Sequence, residues 1–308
     1  MEMDLASSMI IAEGVARDAS YSMCHGAQSG IGALPVLFFG SEDQKQRYLP
    51  DLVSAKRIAA YCLSEPQAGS SLSDIATKAV PDVNGDGTGI DWTQDSLGPR
   101  YRLTGNKMWI SGGEHEITEN IVHLVLAKIP GPDGKLIPGT KGISLFVVPK
   151  MLPKADGTPG ARNALACGAL EHKMGIHASP TCTMVYGDNG GAVGYLVGEE
   201  NRGLACMFTM MNNARLSVGL QGLSLAERAY QQALQYSLDR QQGRAIGAPA
   251  GASSPIIEHP DVRRMLMTQR AWIDAMRGLT PEQQAAAWER FWHRHDPTPE
   301  TPRNEYQI

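Results

Sequence analysis

Two stretches near the middle of the chain limit most strongly what it can fold into. Ala60–Ser71 reads A-Y-C-L-S-E-P-Q-A-G-S-S, and Tyr101–Gly113 reads Y-R-L-T-G-N-K-M-W-I-S-G-G. Each contains a short apolar run that ends on a hydroxyl, Ser64 in the first and Ser111 in the second. Turn residues then cut the run, because Pro cannot donate to a strand ladder and Gly weakens it. Both hydroxyls are therefore expected at strand ends, beside free backbone amides. Met108-Trp109-Ile110 adds one large aromatic plane just before Ser111. Taken singly, each serine is an ordinary strand-end hydroxyl and Trp109 an ordinary core residue. Together, two such ends and one indole can hold a flat polar ring.

The surrounding pattern says where these ends belong. From Ile58 to about Gly198, strand-like runs alternate with Gly, Asp, Asn and Pro clusters. The runs are Ala59–Leu63, Ile75–Val80, Tyr101–Thr104, Lys107–Ile110, Ile121–Ile129, Gly142–Pro149 and Thr181–Tyr186. Short strands with no helical period between them predict an antiparallel sheet or barrel. The alternation of Val122, Leu124 and Leu126, and of Ile143, Leu145 and Val147, predicts half-buried strands. The flanks are helical. Leu5, Met9, Ala12 and Ala16 recur about once per turn. Gly40 ends a second apolar stretch, Ser41-Glu-Asp-Gln44 reads as an N-cap, and the helix after it is expected to stop near Leu49-Pro50. Gly203–Gly243 carries a stripe of Leu204, Met207, Met211, Ala214, Val218, Leu225, Ala229 and Ala233. A further helix is expected from His259-Pro260-Asp261 to Arg277-Gly278, with proline in its first turn. Thr280-Pro281-Glu282 reads as a helix start leading to Trp288, Phe291 and Trp292, and the end of the chain as disordered. The domain expectation is a partial helical region over 1–57, a β domain over 58–198, a partial helical domain over 199–279 and an atypical tail over 280–308.

Composition removes several alternatives. The net charge of -4 and the lack of a basic cluster argue against nucleic acid. No apolar run approaches the ~20 residues of a membrane span. The five cysteines are scattered and form no C-x-x-C, so reduced thiols in a cytoplasmic setting are expected. Asp82-Val-Asn84-Gly-Asp86-Gly87 matches the first half of a calcium loop, but its twelfth position is Thr93, so a solvated turn is expected. Glu114-His115-Glu116 lacks the second histidine of a zinc helix. His293 and His295 read as solvated, and Met207, Met210 and Met211 as core packing.

The motifs Y-C-L-S-E-P-x-A-G-S, G-N-K-M-W-I-S-G-G and N-N-A-R-L, in that order and context, resemble the acyl-CoA dehydrogenase family over roughly Tyr21–Leu279. Further segments, such as K-G-I-S-L-F-V-V-P-K and E-H-K-M-G-I-H-A-S-P-T-C, resemble the branch of 3-methylmercaptopropionyl-CoA dehydrogenases. The resemblance implies an α+β multidomain fold: a helical N-terminal region, a central antiparallel β-barrel domain and a partial C-terminal helical bundle. It implies FAD as cofactor, an acyl-CoA substrate, an electron-transfer flavoprotein as partner and a homo-oligomer in the intact protein. Carried over by position, Tyr61, Leu63 and Ser64 match the strand end at the flavin pyrimidine edge. Trp109 matches the aromatic beside the ring system and Ser111 the hydroxyl near N5. Gly69 and Ser70 match the loop at the pantetheine and phosphate end, Arg215 the helix arginine that holds CoA, and Arg240 a basic residue reaching the pyrophosphate of a neighbouring subunit's FAD. The last match is weaker, since Gln241-Gln242-Gly243 stands where Lys-Thr-Phe is usual. In the implied reaction a carboxylate removes the α-proton of an acyl thioester while the β-hydride moves to the flavin, and pre-placed donors stabilise the reduced ring.

The pattern also breaks. The glutamate base of the family has no recognisable motif here, and the flavin-contacting Gly-Gly-x-Gly segment is missing. Glu282, Glu289, Glu300 and Glu305 lack the base's context, so none is nominated. The similarity fades at about Leu279, as a piece of a longer enzyme or a shifted reading frame would produce. Two alternatives therefore accompany the dehydrogenase reading: a piece that cannot turn over and serves only in folding or oligomerisation, and a flavin monooxygenase of the same fold. Arg215 and Ser70 favour a CoA substrate over the monooxygenase.

Overall fold

The computed structural model describes residues 5–85, 91–188 and 190–278. The chain divides into two compact units, Asp18–Ala214 and the described parts of Met1–Arg17 with Arg215–Ile308. The helices are α1 (Leu5–Val15), α2 (Ala19–Gly26), α3 (Ala33–Phe39), α4 (Glu42–Val53), α5 (Gly203–Asp239) and α6 (Pro260–Arg277). The strands are β1 (Ile58–Cys62), β2 (Lys78–Pro81), β3 (Arg100–Ser111), β4 (Ile121–Lys128), β5 (Ile143–Pro149), β6 (Met151–Pro153), β7 (Pro159–Arg162), β8 (Leu165–Leu170), β9 (Thr181–Tyr186) and β10 (Ala192–Val197).

In the first unit the large sheet runs β1-β4-β5-β10-β3-β9-β8, and β2 pairs with both β3 and β4. That double pairing closes β2, β3, β10, β5 and β4 into a ring. Alternate residues of β4 then enter two different cores. Val122, Leu124 and Leu126 pack with α3, α4 and the start of α5 through Leu34, Val36, Tyr48, Leu52, Met207 and Met210. Ile121, Val125 and Ala127 pack inside the ring with Tyr101, Leu103, Phe146 and Val148. All eight residues of β4 and all seven of β5 are consequently buried, not half-buried as their alternation suggested. A strand covered on both faces needs no polar side.

Two further details depart from expectation. The sheet is mixed: β1 runs parallel to β4, with Ile58 opposite Ile121, and β2 meets β4 in parallel at Lys78 and Lys128. The long stretch between β1 and β4 supplies the crossover that parallel neighbours require. The runs Tyr101–Thr104 and Lys107–Ile110 form one strand, β3. β6, β7, β8 and β10 carry Gly, Ala or Pro and gave no strand signal.

The helical cover is fixed by named contacts. Ser41 and Gln44 form a reciprocal capping box at the start of α4, and Gln44 Nε2 also donates to the carbonyls of Leu97 (2.6 Å) and Leu196 (2.8 Å). α4 does not stop at Pro50 but continues to Val53. Pro50 removes one helical donor, yet Tyr48 and Leu52 on either side of it are buried and hold the turn. Residues Ala27–Gly32 form a π-helical turn. Its Gln28 donates to the carbonyls of Leu52 and Arg57 and accepts from the amide of Ala59 at 2.6 Å, so it caps the outer edge of β1.

In the second unit Leu220, Leu223 and Ile273 pack with Met9 and Ala12 of α1. Arg277 ties this core together by donating to Glu13 (2.6 Å) and Glu227 (3.0 Å). The expected stripe on α5 holds at Met207 but not beyond Ala214. Val218 and Leu225 are exposed, and Leu220, Leu223 and Glu227 are buried instead. The expected helix after Thr280, the tail and its four glutamates lie outside the described residues. Among the described residues no helix is long and apolar enough to cross a membrane.

Candidate functional site

The two opening motifs meet. The amide of Met108 in β3 donates to the carbonyl of Ser64, just past the end of β1, at 2.9 Å. Beneath that bond lies an ion pair that the sequence reading did not single out. Lys107 Nζ donates to Glu65 Oε1 at 2.8 Å and to the carbonyl of Leu63 at 3.0 Å, and both side chains are buried. Glu65 also accepts from Thr77 Oγ1 (2.5 Å), from the amides of Thr77 and Ala76, and from Gln67 Nε2. Burial works to raise the Glu65 pKa, but the Lys107 charge and these hydrogen bonds outweigh it and hold the carboxylate below its usual range. The tight turn across Pro66-Gln67 is closed by two backbone bonds between Glu65 and Ala68. One sign of this clamp was present in the sequence: the first motif carries one acidic residue, Glu65, and the second only basic ones, Arg102 and Lys107.

β3 is irregular where the indole sits. Its register with β9 slips between Lys107 and Ile110, a β-bulge. Trp109 occupies that bulge at φ +61°, and the residue is 52% exposed. A bulky residue in the left-handed region stores strain, and such strain collects at binding sites. Trp109 is therefore not the core tryptophan it could have been. Ser64 Oγ and Ser111 Oγ, on either side of it in the two motifs, have no hydrogen-bond partner among the described residues. The Tyr61 hydroxyl is buried and also without a partner. Leu63 packs its side chain on the helix-side core while its carbonyl takes the Lys107 bond.

The end of the second motif is pinned from inside the sheet. Gly112, at φ +65°, turns the chain after Ser111. The Gly113 carbonyl then bonds His123 Nε2 at 2.9 Å, and His123 Nδ1 lies 2.8 Å from the Tyr186 hydroxyl. A carbonyl only accepts, so Nε2 carries the proton and Nδ1 receives one from Tyr186. Tyr186 in turn lies 3.1 Å from Cys62 Sγ, at the end of β1. Burial pushes the His123 pKa down to about 4 and the Cys62 thiol up to about 12, so the whole row is neutral.

The remaining candidates have separate surroundings. Gly69 and Ser70 are exposed on the loop after Ala68, and nothing lies within 4 Å of where a Gly69 Cβ would stand. Arg215 is exposed on α5 in the second unit. Arg240 is exposed just past α5 and donates to Gln242 Oε1 at 3.1 Å. The expected turn is solvated at Val83 and Asn84, while Asp86 and Gly87 lie outside the described residues. Asp82 at its start is buried instead, and its two oxygens receive Arg100 at 2.8 Å and Arg102 at 2.9 Å. Glu114 bonds Lys150 and Arg162. No cluster of metal ligands occurs among the described residues.

Comparison with known proteins matches this arrangement along its length. The N-terminal domain of acyl-CoA dehydrogenases matches residues 1–56, the middle domain residues 60–189 and the C-terminal domain residues 201–290. The chain belongs to the acyl-CoA dehydrogenase family.

Among its relatives, the 3-methylmercaptopropionyl-CoA dehydrogenase of Ruegeria pomeroyi is 47% identical over 264 residues, covering 85% of this chain and 41% of the relative. A butyryl-CoA dehydrogenase of Syntrophomonas wolfei is 39% identical over 254 residues, covering 80% of this chain and 39% of the relative. The acyl-CoA dehydrogenase chain described here thus spans about 40% of the length of these relatives. Among solved structures, an acyl-CoA dehydrogenase of Bacillus anthracis complexed with FAD superposes with a TM-score of 0.70 at 31% identity, over 90% of this chain and 40% of that one. A chain from the structure titled for the electron transferring flavoprotein of Acidaminococcus fermentans gives 0.69 at 26% identity, over 89% of this chain and 61% of that one. The stretch matched by the family's middle domain contains the clamp, the bulge and the Tyr61, Ser64 and Ser111 hydroxyls.

Proposed function

We propose that this chain is the flavin-holding part of an FAD-dependent acyl-CoA dehydrogenase that desaturates an acyl-CoA thioester between its α and β carbons and passes the electrons to an electron-transfer flavoprotein. One observation carries the reading: an exposed indole is held at φ +61° on a bulge, next to the Met108 amide that bonds the Ser64 carbonyl, and the Ser64 and Ser111 hydroxyls have no partner among the described residues. That set fits a flat ring with polar edges better than it fits a packing role. FAD, when bound, supplies the hydride acceptor. Ser64 and Ser111 offer hydroxyl donors to the ring, Trp109 offers its face, and Tyr61 and Leu63 complete the strand end. Met108 and Trp109 form an apolar wall that excludes water. Gly69 and Ser70 leave an open loop for the pantetheine and phosphate end. Arg215 is assigned to CoA and Arg240 to the pyrophosphate of an FAD held by a second copy of the chain. The division of the chain at residues 57, 198 and 279 belongs to the same proposal.

A second reading is favoured by the state of the carboxylates. Glu65, Glu114 and Glu227 are each buried or partly buried and committed to lysine or arginine. No described glutamate is nominated as the base, so the chain is also consistent with FAD binding without turnover. Anaerobic titration of the FAD-loaded protein with butyryl-CoA separates the two. Bleaching of the flavin band is expected from the dehydrogenase, and a yellow protein that does not bleach supports the second reading. A colourless protein that takes up no FAD would refute the dehydrogenase reading and favour a piece that serves only in folding or oligomerisation. Oxygen-dependent product formation would instead point to the monooxygenase.

A further inference from the structure

We infer that Lys107 is a positioning residue that strengthens the backbone amide of Ser64 as a donor to the bound flavin edge, acting through the Leu63–Ser64 peptide. The inference rests on the flavin reading above. Its geometry begins with one peptide group. The Leu63 carbonyl accepts from Lys107 Nζ at 3.0 Å. A trans peptide points its C=O and N–H in opposite directions, so the Ser64 amide points away from the buried lysine. The β1–β4 ladder ends at Cys62 and Val125, which leaves that amide outside the sheet. The Ser64 carbonyl is already occupied by the Met108 amide, one residue before Trp109. The Ser64 peptide edge and the indole are therefore set relative to one another by a single hydrogen bond.

The charge behind this peptide cannot drift. Lys107 is fully buried and its ammonium is held by Glu65, whose two oxygens are in turn held by Thr77, Ala76 and Gln67. An ammonium bonded to a carbonyl polarises the amide, and hydrogen bonds in series strengthen each other in a low-dielectric interior. The Ser64 N–H becomes a stronger donor than an ordinary strand-end amide. Such a donor favours the form of the ring that carries more negative charge, which is the reduced one. A salt bridge that only joined two strands would not need to touch the Leu63 carbonyl. Replacing a buried pair by matched neutral residues is often tolerated, which makes the electrostatic part separable from the packing part.

The test compares wild type with the K107M/E65Q double variant, both loaded with FAD. The double variant removes both charges together and keeps the side-chain volumes. Its thermal midpoint without FAD is expected to fall by several degrees, because a carboxamide at position 65 offers one oxygen where the Ala76 and Thr77 amides each need an acceptor. Its affinity for oxidised FAD is expected to fall about tenfold, and for reduced FAD about a further tenfold. That second tenfold lowers the two-electron potential by about 30 mV. A folded double variant with wild-type affinity and potential would overturn the inference while leaving the flavin reading intact. A wild type that takes up no FAD would overturn both. A measurement on the unmutated protein covers a double variant that fails to fold. The Ser64 amide proton, followed by NMR, is expected to move downfield on FAD binding and further on reduction; a resonance that stays put overturns the inference.

Discussion

Trp109 shows how much one residue's environment adds to its identity. The indole and the two serines were legible in the sequence as a ring-holding set, because each motif spells an apolar run, a hydroxyl and a breaker. The bulge was not legible, since nothing in K-M-W-I marks a register slip with a strand some seventy residues later. Replacing Trp109 by Gly relieves the left-handed strain, worth ~1–2 kcal/mol, but adds backbone freedom to the unfolded chain, worth ~1 kcal/mol. The W109G variant is therefore expected to match wild-type stability within about 1 kcal/mol by urea unfolding. Its FAD affinity, read by flavin fluorescence, is expected to fall at least tenfold. Lys107 and Glu65 were harder to see. They are close partners 42 positions apart, and only the crossing of β1 and β3 reveals that their charges cancel.

At the scale of elements, the outer edge of β1 is the informative place. An uncovered edge strand invites pairing with other chains, and here Gln28 of the π-helical turn bonds that edge while Gly32 packs on the face beside it. A Cβ on Gly32 would stand 2.2 Å from the Ala59 Cβ, closer than any real contact. The G32A variant is expected to lose about 1–3 kcal/mol through overpacking, with hydrogen exchange rising first along β1. The helical elements with strong end signals, Ser41 before α4 and His259-Pro260 before α6, were readable to within a residue or two. Pro50 inside α4 was not, because tertiary burial of Tyr48 and Leu52 overrides a local breaker. In the second unit, the R277A variant loses its bonds to Glu13 and Glu227. A cost of about 1 kcal/mol is expected for a half-exposed pair of this kind, measurable as faster exchange in α1.

For the whole molecule, acid is the expected weak point. His123 titrates near 4 in the folded chain against an ordinary 6.5. Between those values the unfolded chain binds a proton that the folded one does not, so stability rises with pH across that window. The contribution is complete above about 6.5 and is lost as pH falls towards 4; by size it is on the order of 3 kcal/mol. Glu65 and Glu114 sit below their ordinary values, so their contribution is present above the usual carboxylate range and is lost at still lower pH. Urea unfolding at pH 7.5 and 5 is expected to show the loss, and the H123N variant to flatten it. By itself the sequence determined the alternation of helical and strand regions, the two ring-holding motifs and the family resemblance, because period, breakers and short motifs are local. Only the tertiary structure decided that β1 runs parallel to β4, that β4 separates two cores, and that a buried ammonium lies behind the Ser64 peptide. Each of these depends on which distant residues meet, and burial and charge pairing between distant residues have no local signature.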